Sequence, residues 1–413
     1  MPKLNLAKFP RWSRTVLKKE RSPLVKRIRK IGFSALGAFG AFVLMFTGLT
    51  ANRAQTQQMD FVTAASDVGR QMGLGPLVAF AEDIYYQSIG APPIGGKPKD
   101  SASFDGQTTW GNRKVGKVAV HPKKVFKKWP AATFPSDLPA RVPGPVAPEP
   151  MEGIWVPTKI AVNGVTAVYV ARVRPDALHT SIYATLAWFD PHLLSFREIP
   201  GTTMPEGNFN RGEGRVPAEL RKFYVAGFAS GYHLVDAQGG FSYNGQVVKK
   251  LVKGKATLLT YPDGSIRIVK WGREKVKPGY NTARQNLDLL VDHSKTQVLD
   301  ESQARWGLAW RGTGSGKNYV WRSGIGERAD GSIVYVQSSA LSAKNLADLL
   351  VRGGAVRAMA LDMNISWAKG FFYGPYGSKG IPINPNNTQR TTSFWDTSTR
   401  DYIAVFVRSP EHG

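Results

Sequence analysis

No cysteine occurs anywhere in the 413 residues. That excludes a disulfide framework and any thiolate metal site, and it fits every redox compartment. Histidine is scarce, and His121, His179, His192, His233, His293 and His412 form no close HxH or HxxxH pair, so no zinc site is expected. There is no GxSxG nucleophile elbow. One glycine-rich stretch, GTGSGKN at 312–318, approaches a phosphate-binding P-loop but fails it. Gly312 and Gly316 stand one residue too close, and Asn318 occupies the place of the metal-binding hydroxyl. The stretch also lies between strand-like runs, so it reads as a hairpin loop. No metal and no cofactor is expected.

Acidic residues are also few, 30 against 55 Lys and Arg, for a net charge of +25. The excess is uneven. Residues 1–30 hold eleven Lys/Arg against the single acid Glu20. The segment that follows, IGFSALGAFGAFVLMFTGLTA at 31–51, contains no charged residue at all. As a helix it would span about 32 Å, enough for a hydrocarbon core. A basic tail ahead of one apolar span predicts a single-pass anchor with the tail in the cytoplasm and the rest extracytoplasmic, in the periplasm or at the cell surface. A cleaved signal peptide is the competing reading; its apolar region would be unusually long, and Leu49 stands where a small residue is wanted. With only thirty residues left in the cytoplasm, the high isoelectric point does not indicate nucleic-acid binding.

Beyond the span, residues 52–90 carry helical spacing, with Leu77, Phe80, Ala81 and Ile84 following Pro76 as an expected packing face. Residues 91–152 are a Pro/Gly/Lys-rich linker; its 113–130 stretch has seven basic residues and no acid. From residue 153 the texture changes to short β-branched runs separated by turn signals, including PDG at 262–264 and ADG at 329–331, each expected to close a hairpin. One clear helix is expected from Ser342 as N-cap to about Arg352, ended by Gly353-Gly354 and followed at once by the strand AVRAMALDM. Residues 153–410 therefore predict an α+β fold: a sheet-rich mixed domain with few helices.

Several strand ends in this domain carry polar residues. GFASGYHLVDAQGGFSYNG (227–245) has glycine pairs and Asp236, ARQNLDLLVD (283–292) has Arg284 and Asn286, WRSGIG (321–326) sets Arg322 before a glycine turn, and LDMN (361–364) supplies Asp362 and Asn364. The run ASGY (229–232), PDG, LLVD (289–292), RSGIG (322–326), LADLLVRGG (346–354) and LDMN resembles the phosphodiester glycosidase domain family in its bacterial, membrane-anchored or secreted branch. That is the family of the enzyme that removes N-acetylglucosamine from a phosphodiester to uncover mannose 6-phosphate. Two departures stand out: Ala229 replaces the family's turn Asn, and Met363-Asn364 replace a glycine run after the Asp. An alternative alignment sets QGGF (238–241) on the Asn-Gly-Gly-Phe turn.

The resemblance implies a membrane-anchored hydrolase that cleaves a sugar-1-phosphate diester in an envelope glycopolymer or glycan. It implies catalytic roles for Asp362, Arg322, Arg284 and Asp236, with the two arginines clamping phosphate. Ser230, Gly231, Gly239, Gly240, Asn286 and Asn364 would orient the sugar. The partners implied are an anionic glycan or sugar-phosphate polymer and, through residues 31–51, the membrane. The alternative is a catalytically inactive envelope module that binds an anionic polysaccharide or wall polymer.

Overall fold

A computed structural model describes residues 39–55, 61–78, 80–81, 84, 92–98, 141–299, 304–306 and 319–408. The basic tail, residues 31–38 of the apolar span, linker residues 99–140 and the GTGSGKN loop lie outside the described residues. The chain divides into two compact units, Met1–Leu74 and Gly75–Gly413. In the first unit residues 39–55 are helical, and helix α1 (Phe61–Gln71) follows, with Asp67 tied to Arg53 at 2.9 Å. Among the described residues no helix is long and apolar enough to cross a membrane. In the second unit Leu77, Phe80 and Ile84 are exposed, so the packing face expected there is not used.

The second unit is built on antiparallel strands. In chain order the principal elements are β1 (Val168–Val173), β2 (Ala184–Phe189), β3 (Leu194–Ile199), β4 (Tyr224–Ala229), β5 (Ala256–Thr260), β6 (Ile266–Lys270) and β7 (Thr282–Gln285). After them come β8 (Val320–Arg328), β9 (Ile333–Leu341), helix α2 (Ala343–Arg352), β10 (Ala355–Met363), β11 (Gly370–Phe372) and β12 (Tyr402–Val407). The central sheet has eight strands and includes the run β1-β2-β9-β8-β10, which continues to Val291–Asp292. Two five-stranded sheets contain the runs β6-β5-β7 and β11-β4-β12-β3. The expected sheet-rich fold with few helices is what forms, and both DG turns close hairpins, β5–β6 and β8–β9.

Strand alternation decides which face meets which layer. Met359 and Leu361 of β10, Ile325 of β8 and Phe189 of β2 face a core shared with Leu258, Ile268, Phe228 and Val405 of the two smaller sheets. The opposite face of the central sheet, with Ala358, Ala360, Val334 and Val336, is covered by Leu346, Leu349 and Leu350 of α2. Gly324 is the seat for that helix: a Cβ there would lie 3.1 Å from Leu350 and 3.2 Å from Leu346. The segment expected as a glycine turn after Arg322 is therefore the middle of a nine-residue strand, because Gly324 serves close helix packing and Gly326 close packing against Ala355 and Val334 of the neighbouring strands.

The start of α2 follows from a reciprocal cap. Ser342 Oγ accepts from the Asn345 N–H at 3.1 Å, and Asn345 Oδ1 accepts from the Ser342 N–H at 3.3 Å. At the other end Gly354 takes φ +87°, which a side chain would resist. Since α2 fixes the frame from which β10 departs, its cap matters for the whole sheet. Ser342→Ala is expected to cost about 1 kcal/mol, read as a lower urea midpoint at unchanged m-value.

Candidate active site

The end of β10 is irregular in a way that aims a carboxyl. Gly324 pairs with Ala360 but Arg322 pairs with Met363, so two steps along β8 meet three along β10. The extra residue is a bulge, and a bulge interrupts the side-chain alternation. Unbroken alternation would set Asp362 with Ala358 and Ala360 beneath α2. Instead its Oδ2 accepts from Arg400 Nη2 at 3.0 Å, and its Oδ1 accepts from the Met363 N–H at 2.9 Å. Ser323 Oγ bridges the Asp362 backbone, accepting from its N–H at 3.2 Å and donating to its C=O at 3.1 Å. Asp362 is buried. Burial pushes its carboxyl above the usual aspartate range, with Arg400 and the Met363 N–H pulling the other way.

Arg400 stands two residues ahead of β12, its backbone held by Ser398 Oγ. Its Nη2 also reaches the Gly231 carbonyl at 3.4 Å, and its guanidinium lies 4.2 Å from the ring centre of Trp367. The Lys369 ammonium lies 5.6 Å from the Trp367 ring centre and 5.5 Å from that of Phe394. Burial, then the Arg400 charge, draw the Lys369 amine down to about 8, while Asp362 pulls it up. His233 Nδ1 pairs with Glu206 at 2.5 Å. Burial opposes the Glu206 charge, but His233 and the Leu234 N–H outweigh it and bring that carboxyl down to about 2.

Behind this surface lies a fully buried polar layer. Arg284 of β7 donates to Asp401 Oδ2 at 2.8 Å, to the Tyr232 carbonyl at 2.5 Å and to the Gln285 carbonyl at 3.1 Å. Glu198 of β3 accepts from Ser230 Oγ at 2.9 Å. Burial, then the Asp401 carboxylate, push Glu198 well above the ordinary glutamate range. Glu198 Oε1 and Asp401 Oδ1 are buried carboxyl oxygens that no other group reaches with a donor, and a proton carried by Glu198 supplies the hydrogen bond between the two carboxyls.

The structure gathers some of the expected residues and separates others. Asp362, Arg284, Asn286, Ser230 and Gly231 come together, but only Asp362 has the disposition of a reacting group. Asn286 Nδ2 donates to the Ala360 and Leu361 carbonyls at 2.8 and 2.7 Å, and its Oδ1 accepts from the Tyr232 N–H at 3.3 Å. It fastens β10 to the turn that carries Gly231. Gly231 lies against Asn286 and Arg284, leaving little room for a Cβ. Arg322 lies on the α2 side of the sheet, with Nε donating to the Leu341 carbonyl at 2.9 Å, so it does not meet Asp362. Asp236 is exposed in the turn after β4. Gly239 and Gly240 pack against Gln285 and Lys250, where any Cβ would collide. Asn364, at φ +64°, turns its Oδ1 onto the Ser366 and Trp367 N–H groups at 3.0 and 3.2 Å.

Arg400, Asp401, Lys369 and Glu198 were not anticipated. A usable signal existed for the first two: Arg-Asp directly before the apolar strand YIAVFV repeats the pattern that singled out Arg284 and Asn286. Lys369 and Glu198 have no comparable local mark.

No family model matches the chain, and no curated protein matches it. Among solved structures, it is similar to the catalytic domain of zebrafish N-acetylglucosamine-1-phosphodiester alpha-N-acetylglucosaminidase, auto-inhibited by its pro-peptide. The TM-score is 0.37 at 15% identity, over 58% of this chain and 82% of that one. A hypothetical protein from Synechocystis gives a TM-score of 0.32 at 12% identity, over 60% of this chain and 63% of that one. A Burkholderia pseudomallei protein gives 0.29 at 12% identity, over 59% and 75%. At these values the likeness assigns no activity to this chain.

Two outcomes test the buried layer. Arg284→Met strands a buried carboxylate and is expected to cost about 3–5 kcal/mol, seen as a large fall in thermal stability. For Glu198 the folded value is raised above the ordinary 4.5, so the folded state holds a proton that the unfolded state has lost. The stability this contributes is full below pH 4.5 and is lost as pH rises through the raised value. Glu198→Gln carries its hydrogens at every pH. Urea titrations between about pH 5 and pH 8 should therefore show wild-type stability declining relative to the variant.

Proposed function

We propose that residues 153–410 form a hydrolase that cleaves a glycosyl phosphodiester, with Asp362 as its catalytic carboxylate. The observation that carries this reading is the buried Asp362–Arg400 pair at 3.0 Å, beside the Trp367 ring at the end of a bulged strand. Breaking a C1–O bond to phosphate builds positive charge on the sugar ring, which a carboxylate in a water-poor setting stabilises. The phosphate departs with the bonding electrons and needs little help from an acid, so one carboxylate serves where ordinary glycosidases use two. Water then supplies the hydroxyl to C1 and loses its proton to solvent.

The two departures from the family pattern have identifiable places in the fold. The Met363 side chain packs against Tyr232, Ala237 and Leu287, while its N–H donates to the Asp362 carboxyl. Asn364 replaces glycine at a left-handed position, which asparagine tolerates better than other side chains. Ala229 is the last residue of β4, paired in register with Tyr402, and is not a turn residue. These placements favour the hydrolase over an inactive binding module. The basic tail and apolar segment 31–51 support an extracytoplasmic site of action, on an anionic glycan or sugar-phosphate polymer of the envelope.

Asp362→Asn should keep the fold and the Arg400 contact while lowering sugar release from an alkyl sugar-1-phosphate diester by at least about a hundredfold. Full activity in that variant would remove Asp362 from the mechanism.

A further inference from the structure

We propose that Lys369 and Arg400, each within cation–π range of the Trp367 ring, form a phosphate-binding subsite next to Asp362, with Lys369 as the residue that makes it selective for a phosphate-type oxyanion. The inference deepens the hydrolase reading and rests on it for the identity of the natural ligand, but the subsite itself stands on its own geometry.

The first argument is unspent donors. Arg400 uses Nη2 on Asp362 and Gly231, while its Nε is buried with no acceptor. Among the described residues, Lys369 Nζ meets the Trp367 and Phe394 rings and has no hydrogen-bond or ion-pair partner. An ammonium held by ring faces alone keeps its three N–H donors available. The second argument is charge. The groups that act on the Lys369 ammonium are Arg400, which opposes it, and Asp362, which favours it. Two cations thus share one carboxyl, and that carboxyl is itself pushed toward its neutral form by burial. A partly buried site with surplus positive charge attracts an anion. The third is shape. A guanidinium and an ammonium gathered around one aromatic ring suit the several oxygens of a tetrahedral anion better than a single donor would. The arginines expected to clamp phosphate are spent elsewhere, Arg284 on Asp401 and backbone carbonyls and Arg322 near α2.

The test uses the full chain and inorganic phosphate as probe, followed by calorimetry at pH 7. Wild type should bind phosphate, and Lys369→Met should bind it at least tenfold more weakly, with an unchanged melting temperature confirming the fold. Lys369→Arg should retain binding. Because the Lys369 amine lies at about 8, wild-type binding should fall as pH rises through that value, and Lys369→Arg should hold its binding at pH 9.5. In Asp362→Asn, which retains the two cations, phosphate should bind at least as well as in wild type, and an alkyl sugar-1-phosphate diester should displace it. Equal phosphate binding by wild type and Lys369→Met, or no binding by either, overturns the subsite, as does a diester that leaves bound phosphate in place. If Lys369→Met binds normally while Asp362→Asn loses turnover, the subsite fails and the hydrolase reading stands. If Lys369→Met loses binding while Asp362→Asn keeps turnover, the subsite stands and the assignment of Asp362 fails.

Discussion

Burying the Arg284 guanidinium is the constraint around which the candidate site is arranged. A fully buried arginine is tolerated only when its charge and its donors are met. Asp401 meets the charge, and the Tyr232 and Gln285 carbonyls take further N–H groups. Three of these groups come from different parts of the chain: Arg284 from β7, Asp401 from the residue before β12, Tyr232 from the turn after β4. Glu198 of β3 joins through Ser230 and through Asp401. The ends of four strands are thereby drawn to one point. Arg400 neighbours Asp401 and Gly231 neighbours Tyr232, so satisfying Arg284 also sets the two groups that flank Asp362.

How much of this was legible in the sequence depends on how local the cause is. The DG hairpins, the Ser342 cap and the glycine stop of α2 are written in consecutive residues, and they form as expected. Asp362 was visible because a carboxyl after an apolar run is conspicuous. Its partner was not, because Arg400 is 38 residues away and precedes a strand of another sheet. Arg322 seemed a companion to Asp362 because both were expected at strand ends. The bulge separates them, since one extra residue in β10 directs Asp362 away from the face that Arg322 shares with α2. Nothing in the letters LDMN announces a bulge.

Arg284 illustrates a different limit. Its residue type suits phosphate, and the reading of it as a clamp followed from type. Burial decides the matter, and burial is a property of the assembled sheets. Asn286 is similar: an amide at a strand end can orient a sugar, but here both ends of the amide are used on backbone groups. Chemical aptitude is readable from sequence, whereas whether a donor is already spent is readable only from the fold.

The distribution of charge separates scaffold from site. In the inner layer Arg284 faces two carboxyls, and the proton held by Glu198 brings that group to neutrality, so the layer asks nothing of a ligand. In the outer layer Arg400 and Lys369 share Asp362 alone, and donors remain unused. A fold that balanced its deepest charges and left an imbalance one step nearer the surface has placed its electrostatic demand where a ligand can answer it. Asp362 belongs to that outer layer, and its burial links the two. The bulge that aims it keeps its carboxyl desolvated enough to matter to a developing positive charge, while Arg400 keeps the ionised form within reach.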